Sequence, residues 1–169
     1  MHASTCERSA AKVSAIRQRR LLIPVDATPR SRWAIRYALR LKEAGVPVSA
    51  VLIHVAEPVT AWEVRRSWTD AEIACFQAGT GSQILEDAAR DLAEAGIPVR
   101  PIFREGDIVF EILDQAERLE CDEIVLPLPH VRWMKLLSSD VVREVMRRQH
   151  AVKVTTVSEY GRPESTLHH

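Results

Sequence analysis

The chain has 169 residues, enough for one domain with its own core. Lysine and arginine together number 23 and aspartate and glutamate also 23, so no bulk charge draws the chain to nucleic acid or to an anionic membrane. No apolar run approaches the roughly 18–20 residues of a membrane span, and Cys6, Cys75 and Cys121 form neither a CxxC pair nor a zinc-spaced cluster, which points to a reducing, cytoplasmic setting without a metal.

Residues 1–20 read as a disordered basic arm rather than a transit peptide. Arg8, Lys12, Arg17, Arg19 and Arg20 face a single acid, Glu7, and no apolar stretch of a secretory signal is present. The ordered domain is expected over 21–157, with a flexible tail over 158–169. LLIPV (Leu21–Val25) has the continuous apolar character of a buried parallel strand, with Pro24 placed where that strand leaves the sheet. In the next segment Pro29 opens a helix, Trp33, Ala34, Tyr37, Ala38 and Leu41 give it an apolar face, and Gly45 stops it. A second strand ends near His54 and Val55.

A linker with Trp62 and Trp68 follows, then a helical segment that GTGS (Gly79–Ser82) interrupts. Thr80 and Gln83 have the spacing of a capping box for a helix restarting there. This lone GxG does not follow a strand, so it is not a dinucleotide loop. The phrases LKEAGVPV (Leu41–Val48) and LAEAGIPV (Leu92–Val99) repeat one joint, in which a helix ends on glycine and a strand begins. Strand three carries Pro101, which suits an edge. A helix capped by Asp107, strand four (DEIVLP), a helix from about Ser139 to Arg148 and strand five (Ala151–Val157) complete the chain.

Alternating strands and helices with right-handed crossovers predict a single-domain α/β fold. Its expected form is Rossmann-like: a doubly wound, five-stranded parallel sheet of order 3-2-1-4-5 with helices on both faces. The switch point then lies between strands one and four, and the ligand crevice is expected at their carboxyl ends, Asp26–Ala27 and Pro127–Leu128.

These residues also carry a resemblance. LLIPVDATPRSRWAIRYAL, REGDIVFEIL and CDEIVLP, taken in order, resemble the universal stress protein family over about residues 21–157. One branch of that family binds ATP through a strand-four signature of glycines. Here Pro127 and His130 stand where its first two glycines would be, and Ser138 and Ser139 stand near its final Gly-Ser/Thr, about two residues early. RWMKLLSS (Arg132–Ser139) is similar instead to the A-type branch, which lacks the glycines and is not expected to bind ATP. Phosphate cradles work by pointing backbone N–H groups at the anion, and prolines have none.

The resemblance therefore implies a non-catalytic stress-response or regulatory protein, acting as a homodimer with an unknown protein partner and no cofactor. Its last strand pairs across a two-fold axis through Val152, Val154 and Thr156. The alternative is an ATP-, AMP- or anion-binding sensor using Asp26, Ala27, Pro127, Arg132, Lys135, Ser138 and Ser139. Against these stand plainer roles: Asp26 binding the amides of its own turn, and Ser138 and Ser139 capping a helix. No nucleophile–base pair or metal-ligand set supports an enzyme; Ser139, His130 and Asp26 lack the context of a triad, and His54 reads as a packed histidine rather than a base.

Overall fold

The computed structural model describes residues 17–128 and 139–164. Strands β1 (Arg19–Pro24), β2 (Val48–Ala56), β3 (Val99–Glu105), β4 (Glu123–Pro127) and β5 (Lys153–Val157) lie parallel in the order β3-β2-β1-β4-β5. The sheet does not end there. A sixth strand, β6 (Pro163–Glu164), pairs antiparallel with Thr156 and Val157, so the sheet is six-stranded and mixed at one edge rather than five-stranded and parallel.

Two further boundaries differ from the sequence reading. β1 starts at Arg19, inside the expected arm, because the Arg19 guanidinium is held by Glu123 at 2.7 Å and its amide bonds the Pro47 carbonyl. Ser158–Glu164 is no loose tail: Ser158 and Arg162 close a turn, and the buried Gly161 sits against helix α1. Pro101 does lie on the edge strand β3, where its missing N–H costs no ladder bond.

Two core layers flank the sheet. Helices α1 (Ser31–Glu43) and α3 (Asp70–Glu94) cover one face, with Ile35, Leu52, Leu85 and Leu92 fully or nearly fully buried. On the other face, where α4 (Ile108–Arg118) and α5 (Ser139–Arg148) lie, Leu22, Ile53, Ile112, Ile124 and Val145 form the second layer. The repeated joint closes both α1 and α3 in the same way. Gly45 and Gly96 take positive φ, and the next amide reaches back five residues, Val46 to Leu41 and Ile97 to Leu92.

A short helix, α2 (Trp62–Ser67), occupies the tryptophan linker. The expected break at GTGS is absent: α3 runs through it as one 25-residue helix. The physical reason is at Gly81, where α3 crosses the sheet so closely that a Cβ would stand 2.5 Å from the Phe103 ring. The glycine there permits helix–sheet contact instead of ending the helix. The capping box is eleven residues upstream of the one expected, with Thr69 accepting from the Glu72 amide and Glu72 accepting from the Thr69 amide at 2.7 Å. Replacing Thr69 by alanine should therefore lower stability by about 1 kcal/mol in a urea titration, whereas the same change at Thr80 should cost well under half of that.

Candidate functional site

The crevice begins where the two central strands part. β1 and β4 share only two ladder positions, Leu21 with Glu123 and Leu22 with Ile124. Successive N–H groups along a strand point to opposite neighbours. The Val25 amide bonds Ile53 of β2, so the nitrogen of Pro24 faces β4; the Leu128 amide bonds Val157 of β5, so the nitrogen of Pro127 faces β1. Both prolines thus put their missing donors on the crevice side. This explains why they are tolerated in central strands, and it leaves the strand ends poor in N–H groups for an anion.

Asp26 follows directly and is 6% exposed. Its Oδ1 accepts from the Thr28 amide at 2.9 Å, the Thr28 hydroxyl at 2.5 Å and the Ser31 hydroxyl at 2.7 Å, and the Ser31 oxygen accepts the Asp26 amide at 2.8 Å. This network shapes the turn into α1, whose N-cap residue, Arg30, gives no side-chain cap of its own. The other carboxylate oxygen, Oδ2, is buried and has no hydrogen-bond partner among the described residues. Asp26, Thr28 and Ser31 border a cleft of about 450 Å³ whose far wall is Thr80, Gln83 and Ile84 of α3.

Arg30 is the residue that sequence reasoning missed. Its guanidinium crosses the crevice from the start of α1 to donate to the Leu128 carbonyl beyond β4, and it lies 5.3 Å from the centre of the Trp33 ring. Burial lowers its pKa, opposed by the charge of Asp26. The guanidinium thus closes the gap between the strand ends and supplies Asp26 with a nearby counter-charge.

His54 lies near the end of β2, beneath α3. Its Nδ1 lies 2.8 Å from the Val25 carbonyl, so that nitrogen carries the proton, and its ring stacks on Phe103. It packs and orients the end of β1 and touches no nucleophile. Of the residues marked in sequence, the structure brings Asp26 and Ala27 to one lip of the crevice and Pro127 to the other; Ser139 is the first residue of α5. Arg132, Lys135, Ser138 and His130 lie outside the described residues. Among the described residues no group of three or more His, Cys, Asp or Glu could hold a metal, and no helix is long and apolar enough to cross a membrane.

A family model described as the universal stress protein family matches residues 18–158. The search of curated proteins gave no match. Among solved structures, the hypothetical protein MJ0577 superposes with a TM-score of 0.64 at 20% identity, over 83% of this chain and 95% of that one. A universal stress protein family protein from Arabidopsis thaliana with AMP bound gives 0.57 at 16% identity, over 83% and 91%. A universal stress protein in complex with cAMP gives 0.59 at 17% identity, over 82% and 96%. At these identities the structural likeness speaks for the fold.

Proposed function

The chain belongs to the universal stress protein family, and from that premise we propose that it is a non-catalytic regulatory member of the A-type branch, acting in the cytoplasm through protein contacts rather than through ATP. The observation that carries this reading is the crevice itself. Pro24 and Pro127 withhold the two N–H groups that would face it, and Arg30 is spent on the Leu128 carbonyl. Losing two charge-assisted hydrogen bonds, at about 1.5–3 kcal/mol each, weakens a nucleotide by about two to four decades. Calorimetric titration with ATP and Mg²⁺ is expected to give no saturable heat up to about 1 mM. Micromolar binding would overturn the reading.

One observation favours a second reading. The Oδ2 of Asp26, beside a cleft of about 450 Å³, is an acceptor without a donor among the described residues, and the Arabidopsis relative is described with AMP bound. A sensor for a nucleotide or other small anion would then use Asp26, Ala27 and Pro127, together with Arg132, Lys135, Ser138 and Ser139. In that case AMP binds and Asp26→Asn weakens it.

The proposal includes an isologous homodimer through β5. Its terms differ from those expected in sequence. Val152 is buried in the second core layer, Val154 packs against that layer, and Thr156 pairs with Glu164 of β6. Only Lys153–Thr155 lacks a second strand neighbour among the described residues, so the backbone edge there, rather than those three side chains, would pair.

A further inference from the structure

The solvent face of α1 breaks a local rule. Arg32, Arg36 and Arg40 follow one another at four-residue spacing, where like charges repel along a helix, and α1 has no acid in its first turn. Arg32 is relieved by Asp91 of α3 at 2.8 Å. Arg40 makes no ion pair among the described residues. Arg36 spends a donor on the Glu159 carbonyl, which ties the β5–β6 turn to the helix. That turn then brings Arg162 to the same place, also without an ion pair among the described residues.

The result is an open groove of about 600 Å³ bordered by Arg36, Arg40, Glu43, Glu159, Tyr160 and Arg162. Its parts are held in place before any ligand arrives. A Cβ on Gly161 would lie 2.6 Å from the Tyr37 nitrogen, so the turn rests directly on the helix backbone. Tyr160, at the groove wall, is 67% exposed. Several surface arginines elsewhere do sit beside acids, as Arg90 does with Asp87 and both Arg147 and Arg148 do with Glu144, whereas the groove gathers three arginines with no ion pair among the described residues. A chain with zero net charge has no general excess of cations to explain this concentration.

We propose that this groove, on the far side of α1 from the switch-point crevice, is a binding site for a small phosphate monoester that also carries hydrogen-bond donors. Arg40 and Arg162 present planar, forked donors suited to a phosphate group. Glu43 and Glu159 accept from hydroxyl or amino groups of the rest of the molecule, and they reject a bare polyanion. Tyr160 offers a flat surface to a ring. A volume of this size holds a sugar phosphate or a nucleoside monophosphate.

The test is a titration of the full chain with ribose 5-phosphate, followed by the ring signals of Tyr160 in NMR, with ribose as the control. Ribose 5-phosphate is expected to shift them saturably at a Kd on the order of 0.1–1 mM, and ribose to leave them unmoved. The double variant Arg40→Gln, Arg162→Gln removes two exposed side chains that hold nothing in the fold, so it should melt like the parent and bind at least about tenfold more weakly. Arg90→Gln, which removes a charge from α3 away from the groove, should change nothing. The proposal is overturned by unsaturated or absent shifts up to about 10 mM, by unchanged binding in the double variant, or by an equal loss of binding in Arg90→Gln, which would mark a general effect of charge instead of a site.

Discussion

Replacing Glu123 by alanine is expected to cost about 3 kcal/mol of stability, read as a fall in the urea midpoint with an unchanged slope. Glu123 is fully buried at the amino end of β4, at the opposite end of the central strands from the crevice. Four groups converge on its carboxylate: Arg19 of β1 at 2.7 Å, Lys153 of β5 at 3.3 Å, the Thr155 hydroxyl, and the Tyr37 hydroxyl of α1 at 3.3 Å. Burial and the neighbouring carboxylate both push the tyrosine hydroxyl pKa up, which keeps it a donor.

Truncation leaves a cavity and two buried hydroxyls without their acceptor, each costing about 1–3 kcal/mol. Arg19 and Lys153 are 31% and 61% exposed and can turn to water, so the penalty stays below that of stranding two buried charges. Glu123→Gln separates the contributions. It keeps an acceptor for Thr155 and Tyr37 and loses only the charge, so it should cost about half as much. A loss under about 1 kcal/mol for the alanine variant would show that the convergence of α1, β1, β4 and β5 on this side chain is not what holds the amino end of the sheet.

The alternation of strands and helices was legible because each element carries its own period, and because Gly45 and Gly96 end two helices with the same local chemistry. Pro101 marked the edge for an equally local reason. What escaped the sequence depends on partners far along the chain. Arg30, in the run TPRSRW, looks like any arginine near a helix start; its carbonyl partner lies 98 residues away. Arg19 looks like part of a basic arm until Glu123, more than a hundred residues on, is seen opposite it. GTGS looks like a helix break, since glycine disfavours helices; the reason it is not lies in the Phe103 ring of another element. β6 has two residues, one of them proline, and shows no periodicity at all. Of the candidate site, Asp26 was legible from its place after strand one. The closure of the crevice was legible only from Pro127, as a missing donor.

The same limits bear on Gly161. Changing it to alanine should detach the terminal hairpin and raise self-association. Gly161 has φ of 65°, which disfavours an L side chain by about 1–2 kcal/mol. A Cβ there would also stand 2.6 Å from the Tyr37 nitrogen and 2.7 Å from the Arg36 carbonyl carbon. Those atoms belong to the backbone in the middle of α1 and cannot move aside as a flexible side chain would, so overpacking adds about 1–3 kcal/mol more.

The hairpin is the element that yields. It is held by the Arg36–Glu159 contact, the Ser158–Arg162 bond and two ladder positions, far fewer ties than α1 has to the core. Amide exchange should therefore speed up at Gly161 and Ser158, whose N–H groups close the turn, while the core amides of β1 and β2 keep their protection. Release also uncovers Thr156 and Val157, lengthening the open edge of β5 beyond Lys153–Thr155, and an open edge invites a second strand. Sedimentation should then show a larger dimer fraction than the parent at equal concentration. A variant with fast exchange in the turn and an unchanged mass would remove β5 from the interface and leave the dimer to another face.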